Sequence, residues 1–149
     1  MPSVKKMLLD WHGNYRLTAK NEKGLSVNFD APIVFGGEET ALSPMENVLA
    51  SLAACSSFHV LTILKKKRQN VSGYSVEITA ERRDESPRVF TKIYIKYIVK
   101  GQNISPVAVE SSIKLSEEKF CSVAGMLKKA VAISSSYEIV KPESEKQNE

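Results

Sequence analysis

Residues 43–55 read SPMENVLASLAAC, and this stretch decides the fold of the chain. It opens as a capping box, with Ser43 at the N-cap, Pro44 at the first helical position and Glu46 at the third. The helical pattern continues to about Leu64, which predicts a helix roughly 33 Å long at about 1.5 Å per residue. A helix of that length crosses a whole domain.

The apolar residues of this helix do not form a single stripe. They lie on several sides of it, at Val48, Leu49, Leu52, Ala53, Ala54, Phe58, Val60, Leu61, Ile63 and Leu64. We therefore expect the helix to be buried nearly all round. Because a small single-layer sheet cannot easily wrap such a helix, a partner subunit is expected to contribute part of the covering.

Short alternating segments flank the helix on both sides. The predicted elements are a strand near 4–10, a hairpin over 15–29 with its turn at 21–24, a loop over 31–42, a second hairpin from 74–80 and 93–99, helices from Ser105-Pro106 and over 122–129, and a last strand over 131–140. This order predicts an α+β fold in one domain, residues 1–140. Residues 141–149 are predicted to be a disordered, charged tail.

Composition narrows the classes of protein. The chain has 149 residues with 42% hydrophobic content, enough to bury a core, and 21 basic against 17 acidic side chains, a net charge of +4. This balance does not indicate nucleic-acid binding, and the basic run at 65–68 is best explained as a solvated last helical turn. The N-terminus lacks a signal-peptide pattern, and residues 48–64 are predicted to be too short and too polar for a membrane span. We therefore expect a cytoplasmic protein.

Two cysteines carry the possible chemistry, because so few thiols exclude a disulfide-stapled scaffold and a four-cysteine metal site. Cys55 lies in mid-helix, where a structural role is the ordinary one and a reactive thiolate would need a cation from elsewhere in the fold. Cys121 precedes the helix beginning near Ser122, where free N–H groups favour a thiolate. His59 projects about 40° from Cys55 on the helix, so a Cys–His pair is conceivable, although a structural hydrogen bond is the commoner role.

No cofactor or metal is predicted. His12, His59 and the two cysteines lack the short local spacing of a zinc site, and the chain carries no P-loop, G-x-G-x-x-G or G-x-S-x-G motif.

Two segments together resemble the motifs of a known family. Residues 43–55 resemble the central-helix motif of the OsmC/Ohr family, and residues 116–123, SEEKFCSV, resemble its second-cysteine motif. The likeness covers nearly the whole chain up to the tail and is closest to the OsmC-like branch typified by YhfA proteins. It implies an intertwined homodimer in which antiparallel sheets from both subunits wrap two long central helices.

The resemblance also implies a reaction. In the family's peroxidases the helix cysteine attacks a peroxide and becomes a sulfenic acid, the second cysteine captures it as a disulfide, and a small dithiol reduces that disulfide. Cys55 would be the peroxidatic residue and Cys121 the resolving one, which suits chemistry that must stop at a reversible stage.

Two family positions differ in this chain. Hydroperoxide-reducing members carry a glutamate ten residues before the helix cysteine, where this chain has Met45. The nearest acid is Glu46, one position further along the helix. A shift of one position turns a helical side chain by about 100° around the axis, so capping is the favoured role of Glu46 and an active-site role is the weaker candidate. Arg16 is the candidate for the thiolate-activating arginine, since the alternative loop position near 35–37 holds none.

The resulting prediction is a dimeric thiol peroxidase that reduces organic hydroperoxides or hydrogen peroxide through Cys55 and Cys121. The alternative is a ligand-binding or redox-sensing protein of the same fold without efficient turnover, which the Met45 difference would allow. RNA binding through residues 65–68 and the sheet face bearing Tyr94 has little support without an RNA-recognition motif.

Overall fold

A computed structural model describes residues 2–143. Its elements are β1 (Met7–Trp11), β2 (Leu17–Asn21), β3 (Ser26–Phe29), a 3-10 turn (Ile33–Phe35), α1 (Pro44–Lys66), β4 (Val71–Arg82), β5 (Phe90–Gly101), α2 (Pro106–Leu115), a π-helical turn (Ser116–Phe120), α3 (Ser122–Leu127) and β6 (Ala132–Val140). They form two three-stranded sheets, β1-β2-β3 and β4-β5-β6. The predicted α+β class is confirmed.

The chain divides into two compact units, the first ending at Val48 and the second beginning at Leu49. The single domain over 1–140 stays a prediction. Most of the predicted disordered tail, residues 144–149, lies outside the described residues.

The first unit contains an antiparallel meander, as the alternating pattern predicts. The turn between β2 and β3 is held by the Asn21 side chain, whose Oδ1 accepts the backbone N–H groups of Lys23 and Leu25, both at 2.9 Å. Met7 and Trp11 on β1 are each more than half exposed. Among residues 2–143, every buried apolar side chain lies at or beyond Leu52, so this sheet has no buried apolar core of its own.

The loop after β3 is organised by Asp30, which is only 2% exposed. Its carboxylate accepts the Thr40 hydroxyl at 2.5 Å and the backbone N–H groups of Ala31, Glu38 and Thr40. These bonds, the Thr40 hydroxyl first, outweigh burial and lower the pKa of Asp30 to about 2. Gly37 allows the tight path, because a Cβ there would lie 1.9 Å from the carbonyl oxygen of Ala31.

The second unit has a mixed sheet. β4 and β5 are antiparallel, with Ile78 opposite Ile95, and the inward face of β5 is fully buried, as its alternation predicts. The family resemblance implied antiparallel sheets, but β6 runs parallel to β5, with Ile95 opposite Ser135. The reason is topological: two helices and a turn connect β5 to β6, and this long crossover returns the chain to the end of the sheet where β5 began.

Helix α1 begins with the predicted capping box. The Ser43 N–H donates to Glu46 Oε1 at 3.0 Å, and the Glu46 N–H donates to Ser43 Oγ at 3.3 Å. The expectation of burial on nearly all sides is wrong for the single chain. The buried residues form one stripe at four-residue spacing, Leu52, Ser56, Val60 and Leu64, while Phe58 on another side is 71% exposed.

α1 ends at Lys66, slightly later than predicted. Within residues 2–143 it is the one helix that is long and apolar enough, by length and composition, to cross a membrane, with mean hydropathy 1.6 over 18 residues. The expectation that this stretch is too short and too polar therefore fails on this criterion. One such helix is weak evidence for a span, because core helices of soluble proteins meet the same criterion.

The segment after β5 contains the two predicted helices and one element that was not predicted. α2 is capped by Ser105, whose Oγ accepts the Ala108 N–H. α2 then passes into the π-helical turn, which closes with the Cys121 N–H donating to the Ser116 carbonyl at 2.6 Å. Cys121 is the N-cap of α3, and its Sγ accepts the Ala124 N–H at 3.4 Å.

Candidate functional site

The second unit brings the two cysteines together. Cys55 lies half-buried in the middle of α1, and Cys121 is 4% exposed at the start of α3. Both are free thiols, and they lie near enough to shift each other's pKa through a side-chain hydrogen bond. The bond favours the charged form of Cys55 and the neutral form of Cys121, so the Cys121 thiol donates and the Cys55 sulfur accepts.

Their environments push the two pKa values apart. Burial raises the pKa of Cys55, but hydrogen bonds from the Val123 N–H, the Cys121 thiol and the Ser122 N–H outweigh it, so the pKa falls below its ordinary value. Burial, with a further contribution from Cys55, raises the pKa of Cys121 to about 11, although the Ala124 N–H opposes this. The arrangement therefore favours a thiolate on Cys55 and holds the proton on Cys121.

The groups that favour the Cys55 thiolate come from the first turn of α3. The first N–H groups of a helix have no partner within it, so those of Ser122 and Val123 are available to a neighbouring sulfur. The sequence predicts free N–H groups after Cys121, but with their effect on Cys121 itself, and it predicts a cation beside Cys55. The donors that lower the pKa of Cys55 are neutral N–H and S–H groups.

Arg16 and Glu46 have other partners in the first unit. Arg16 Nε lies 3.5 Å from Glu38 Oε2, and its Nη2 donates to the His12 carbonyl at 3.2 Å. Glu46 accepts the Ser43 N–H in the capping box, and the Ser43 backbone and hydroxyl lower the pKa of Glu46. Active-site roles for Arg16 and Glu46 stay predictions.

His59 lies one helical turn after Cys55 and stacks on an aromatic ring. Its ring centroid is 5.8 Å from that of Phe120, with an angle of 27° between the planes. Lys119 Nζ lies 5.5 Å from the Phe120 centroid. Because Phe120 directly precedes Cys121, this contact joins the segments that carry the two cysteines.

A buried hydrogen-bond network also joins these segments. Tyr97 on β5 donates to Glu117 Oε1 at 2.8 Å, and its oxygen lies 2.5 Å from Ser56 Oγ. Ser116 Oγ lies 3.0 Å from Ser56 Oγ and donates to the Ser56 carbonyl at 2.9 Å. Burial raises the pKa of Tyr97 far above its ordinary value, so its hydroxyl keeps its hydrogen. Ser135 completes the network by donating to the Glu117 carboxylate.

Sequence reasoning missed this network. Its members lie 41 and 60 positions from Ser56 along the chain, and serine and tyrosine give no local pattern that pairs them. The local signal was weak, because Ser56 is one of several polar residues in this helix, together with Ser51, Ser57, His59 and Thr62.

A cavity of about 460 Å³ adjoins the outer end of the network at Glu117. Its lining residues are Glu110, Ile113, Lys114, Glu117, Glu118, Ile133, Ser135, Ser136 and Tyr137. Between residues 2 and 143, no group of three or more His, Cys, Asp or Glu side chains is placed to hold a metal ion.

Comparison with known proteins identifies the family. The sequence model for OsmC-like proteins matches residues 36–136. Protein YhfA of Escherichia coli K12 is 49% identical over 102 residues, which cover 68% of this chain and 76% of that protein. A crystal structure of a hypothetical protein from Aquifex aeolicus has 33% identity and a TM-score of 0.83, covering 95% of this chain and 99% of the other.

A more distant structure shows the same fold. An organic hydroperoxide resistance protein OsmC from Legionella pneumophila is 16% identical, with a TM-score of 0.68 over 92% of this chain and 99% of that one. The family match, the identity to YhfA and the shared fold agree, and the chain is a member of the OsmC family.

Proposed function

We propose that this protein is a thiol-dependent peroxidase that reduces organic hydroperoxides or hydrogen peroxide, with Cys55 as the peroxidatic residue and Cys121 as the resolving residue. The observation that carries the proposal is the pair of neighbouring free thiols whose pKa values are shifted in opposite directions. A thiolate is the attacking form of cysteine, and a protonated thiol beside it is held in reserve for the second step.

The reaction balances with a peroxide and a dithiol. The Cys55 thiolate attacks one peroxide oxygen and becomes a sulfenic acid as the O–O bond breaks. The other oxygen takes a proton and leaves as an alcohol, or as water when the substrate is hydrogen peroxide. The sulfur of Cys121 then attacks the sulfenic acid of Cys55, forming the S–S bond as the S–O bond breaks. The departing hydroxide leaves as water with the Cys121 proton. A dithiol reduces the disulfide and becomes oxidised itself.

The Legionella relative, named for organic hydroperoxide resistance, supports the substrate class, although its likeness to this chain is one of fold. This chain has Met45 in place of the glutamate, and the donors from Ser122, Val123 and Cys121 favour the Cys55 thiolate. We keep Arg16 as the proposed cationic activator during the reaction and Glu46 as a subordinate candidate. A reducing cytoplasm would hold both thiols free between turnovers.

The proposed assembly is a homodimer. The first unit has no buried apolar side chain among residues 2–48, and Met7 and Trp11 on its sheet are largely exposed. α1 is buried along one stripe while Phe58 on another side remains exposed. Exposed apolar faces of this extent are typical of subunit interfaces, and a second copy would cover them. Light scattering coupled to gel filtration should give twice the mass of the chain, and a monomer at micromolar concentration would contradict the assembly.

The proposed reaction is tested by the intact mass of the reduced protein after addition of cumene hydroperoxide. The expected product is lighter by two hydrogen atoms, and it should not form in Cys55→Ser or Cys121→Ser variants. Peroxide consumption with dithiothreitol or a dihydrolipoyl donor should then depend on Cys55. An unchanged mass under excess peroxide would refute the reaction.

Met45 favours one alternative, a ligand-binding or redox-sensing role without efficient turnover. Disulfide formation by peroxide, combined with consumption no faster than in buffer, would identify the redox sensor. If peroxide neither forms the disulfide nor is consumed faster than in buffer, the ligand-binding role remains.

A further inference from the structure

Ser116 forms hydrogen bonds with both of the segments that carry the cysteines. Its hydroxyl donates to the carbonyl of Ser56, the residue directly after Cys55. Its own carbonyl accepts the N–H of Cys121 at 2.6 Å. One serine thus contacts the neighbour of the first cysteine with its side chain and the second cysteine with its backbone.

The hydrogen atoms of the network are assigned except for that of the Ser56 hydroxyl, which has two possible acceptors. The Tyr97 hydroxyl donates to Glu117, and the Ser116 hydroxyl donates to the Ser56 carbonyl. Since each hydroxyl has one hydrogen, the Ser56 hydroxyl donates to the Tyr97 oxygen at 2.5 Å or to Ser116 Oγ at 3.0 Å. Every member is satisfied, and Ser56, Tyr97 and Ser116 are fully buried. A satisfied, buried network of this kind fixes the positions of its members.

We propose that Ser116 is a positioning residue that holds Cys121 in reach of Cys55 by joining the backbone of the π-helical turn to that of α1. The inference rests on the proposed function and assigns a residue to its second step. A π-helical turn places one extra residue in a helix and is common at functional sites. Here the turn ends at Cys121, so the bond from Ser116 to Ser56 fixes the position of the turn relative to Cys55.

Position matters most after Cys55 has been oxidised. The sulfenic acid either forms a disulfide, for which the sulfur atoms must approach to about 2.05 Å, or reacts with a second peroxide to give the sulfinic acid. Attack by Cys121 depends on the geometry of the pair, whereas attack by a second peroxide does not. Loosening the turn should therefore shift the product from disulfide to sulfinic acid.

The test compares Ser116→Ala with Ser112→Ala. Ser112 is a matched control, because it is also fully buried but its hydroxyl donates within α2, to the Ala108 carbonyl. Reduced protein is mixed with cumene hydroperoxide, quenched with N-ethylmaleimide at successive times and measured by intact mass. This separates reduced protein, disulfide and sulfinic acid.

Ser116→Ala is expected to slow disulfide formation at least about tenfold and to accumulate sulfinic acid, since small misplacements of reacting groups have effects of this size or larger. The first oxidation of Cys55 should slow less than disulfide formation does, because Cys121 and the N–H donors of α3 remain and the attack on peroxide does not require the two sulfur atoms to meet. Ser112→Ala should keep the wild-type product ratio even if it melts at a lower temperature. A purely structural role for Ser116 would change the melting temperature alike in both variants and leave the product ratio alone.

An unchanged product ratio in folded Ser116→Ala would overturn the proposal. If circular dichroism shows that this variant does not fold, Tyr97→Phe decides, because it removes the hydroxyl that supports Ser56 and leaves Ser116 in place. A smaller shift toward sulfinic acid is expected, and a wild-type ratio would overturn the proposal. Absence of disulfide in the wild-type protein would instead refute the proposed function itself.

Discussion

The two thiols should differ sharply in reactivity toward an alkylating agent. At pH 8 a thiol with the ordinary pKa of 9.0 is about one-tenth thiolate, whereas Cys121 with a pKa of about 11 is about one-thousandth thiolate. Cys55, whose pKa is lowered, exceeds one-tenth. Ionisation alone therefore predicts that iodoacetamide modifies Cys55 at least about a hundredfold faster than Cys121.

The assay is alkylation across pH 6 to 10, with each site quantified by peptide mass spectrometry. Cys121 should react about tenfold faster for each pH unit, with no plateau in this range, because its pKa lies above it. In Cys55→Ser, Cys121 should react faster than in wild type, since Cys55 contributes to its raised pKa, but more slowly than an exposed thiol, since burial remains. Equal rates for the two sites, or a shared pH midpoint, would refute the assignment of proton donor and acceptor.

Three further outcomes test local features of the fold. The folded state lowers the pKa of Asp30 from 3.8 to about 2, so the contribution of this carboxylate to stability is present above pH 4 and lost as the pH falls toward 2. The free energy of unfolding in urea should therefore change less between pH 5 and pH 3 in Asp30→Asn than in wild type, and an equal change in both proteins would contradict this. Ser43→Ala should lower the free energy of unfolding by about 1 kcal/mol, because the Glu46 N–H loses its acceptor. The control is Ser136→Ala at an exposed position, and equal values for the two variants would exclude a stabilising cap at Ser43. Leu64→Ala should lower the free energy of unfolding by about 3 kcal/mol, since the Leu64 side chain is fully buried. A decrease below about 1 kcal/mol would indicate that this side chain is not tightly packed.

Features of the fold that rest on neighbouring residues were predictable. The capping box involves side chains three positions apart, and the structure forms both of its hydrogen bonds. Cys121 was placed just before a helix, where it is indeed the N-cap. The turn at 21–24 was predicted from its residues, and the structure adds the hydrogen bonds of the Asn21 side chain. In each case chemistry within a few residues determines the structure.

Features that depend on distant residues were not predictable. The alternation along β6 is the same whether the strand pairs in parallel or antiparallel, so its direction relative to β5 could not be read from it. The single buried stripe of α1 depends on what packs against the helix. The support of Cys55 by N–H groups from α3 depends on the same tertiary packing, because Cys55 and Ser122 are far apart in sequence.

The parallel pairing of β6 has a consequence for the synthesis of the protein. Cys121 lies in the connection between β5 and β6, and this connection is fixed at both ends only when β6 has joined the sheet. In a chain still emerging from the ribosome without β6, the bond from Ser116 to Ser56 can hold Cys121 near Cys55, but the far end of the crossover is not yet fixed. We therefore expect disulfide formation between the two thiols to be slower in the incomplete chain than in the complete one. Rapid disulfide formation in newly made protein would then indicate a completed chain.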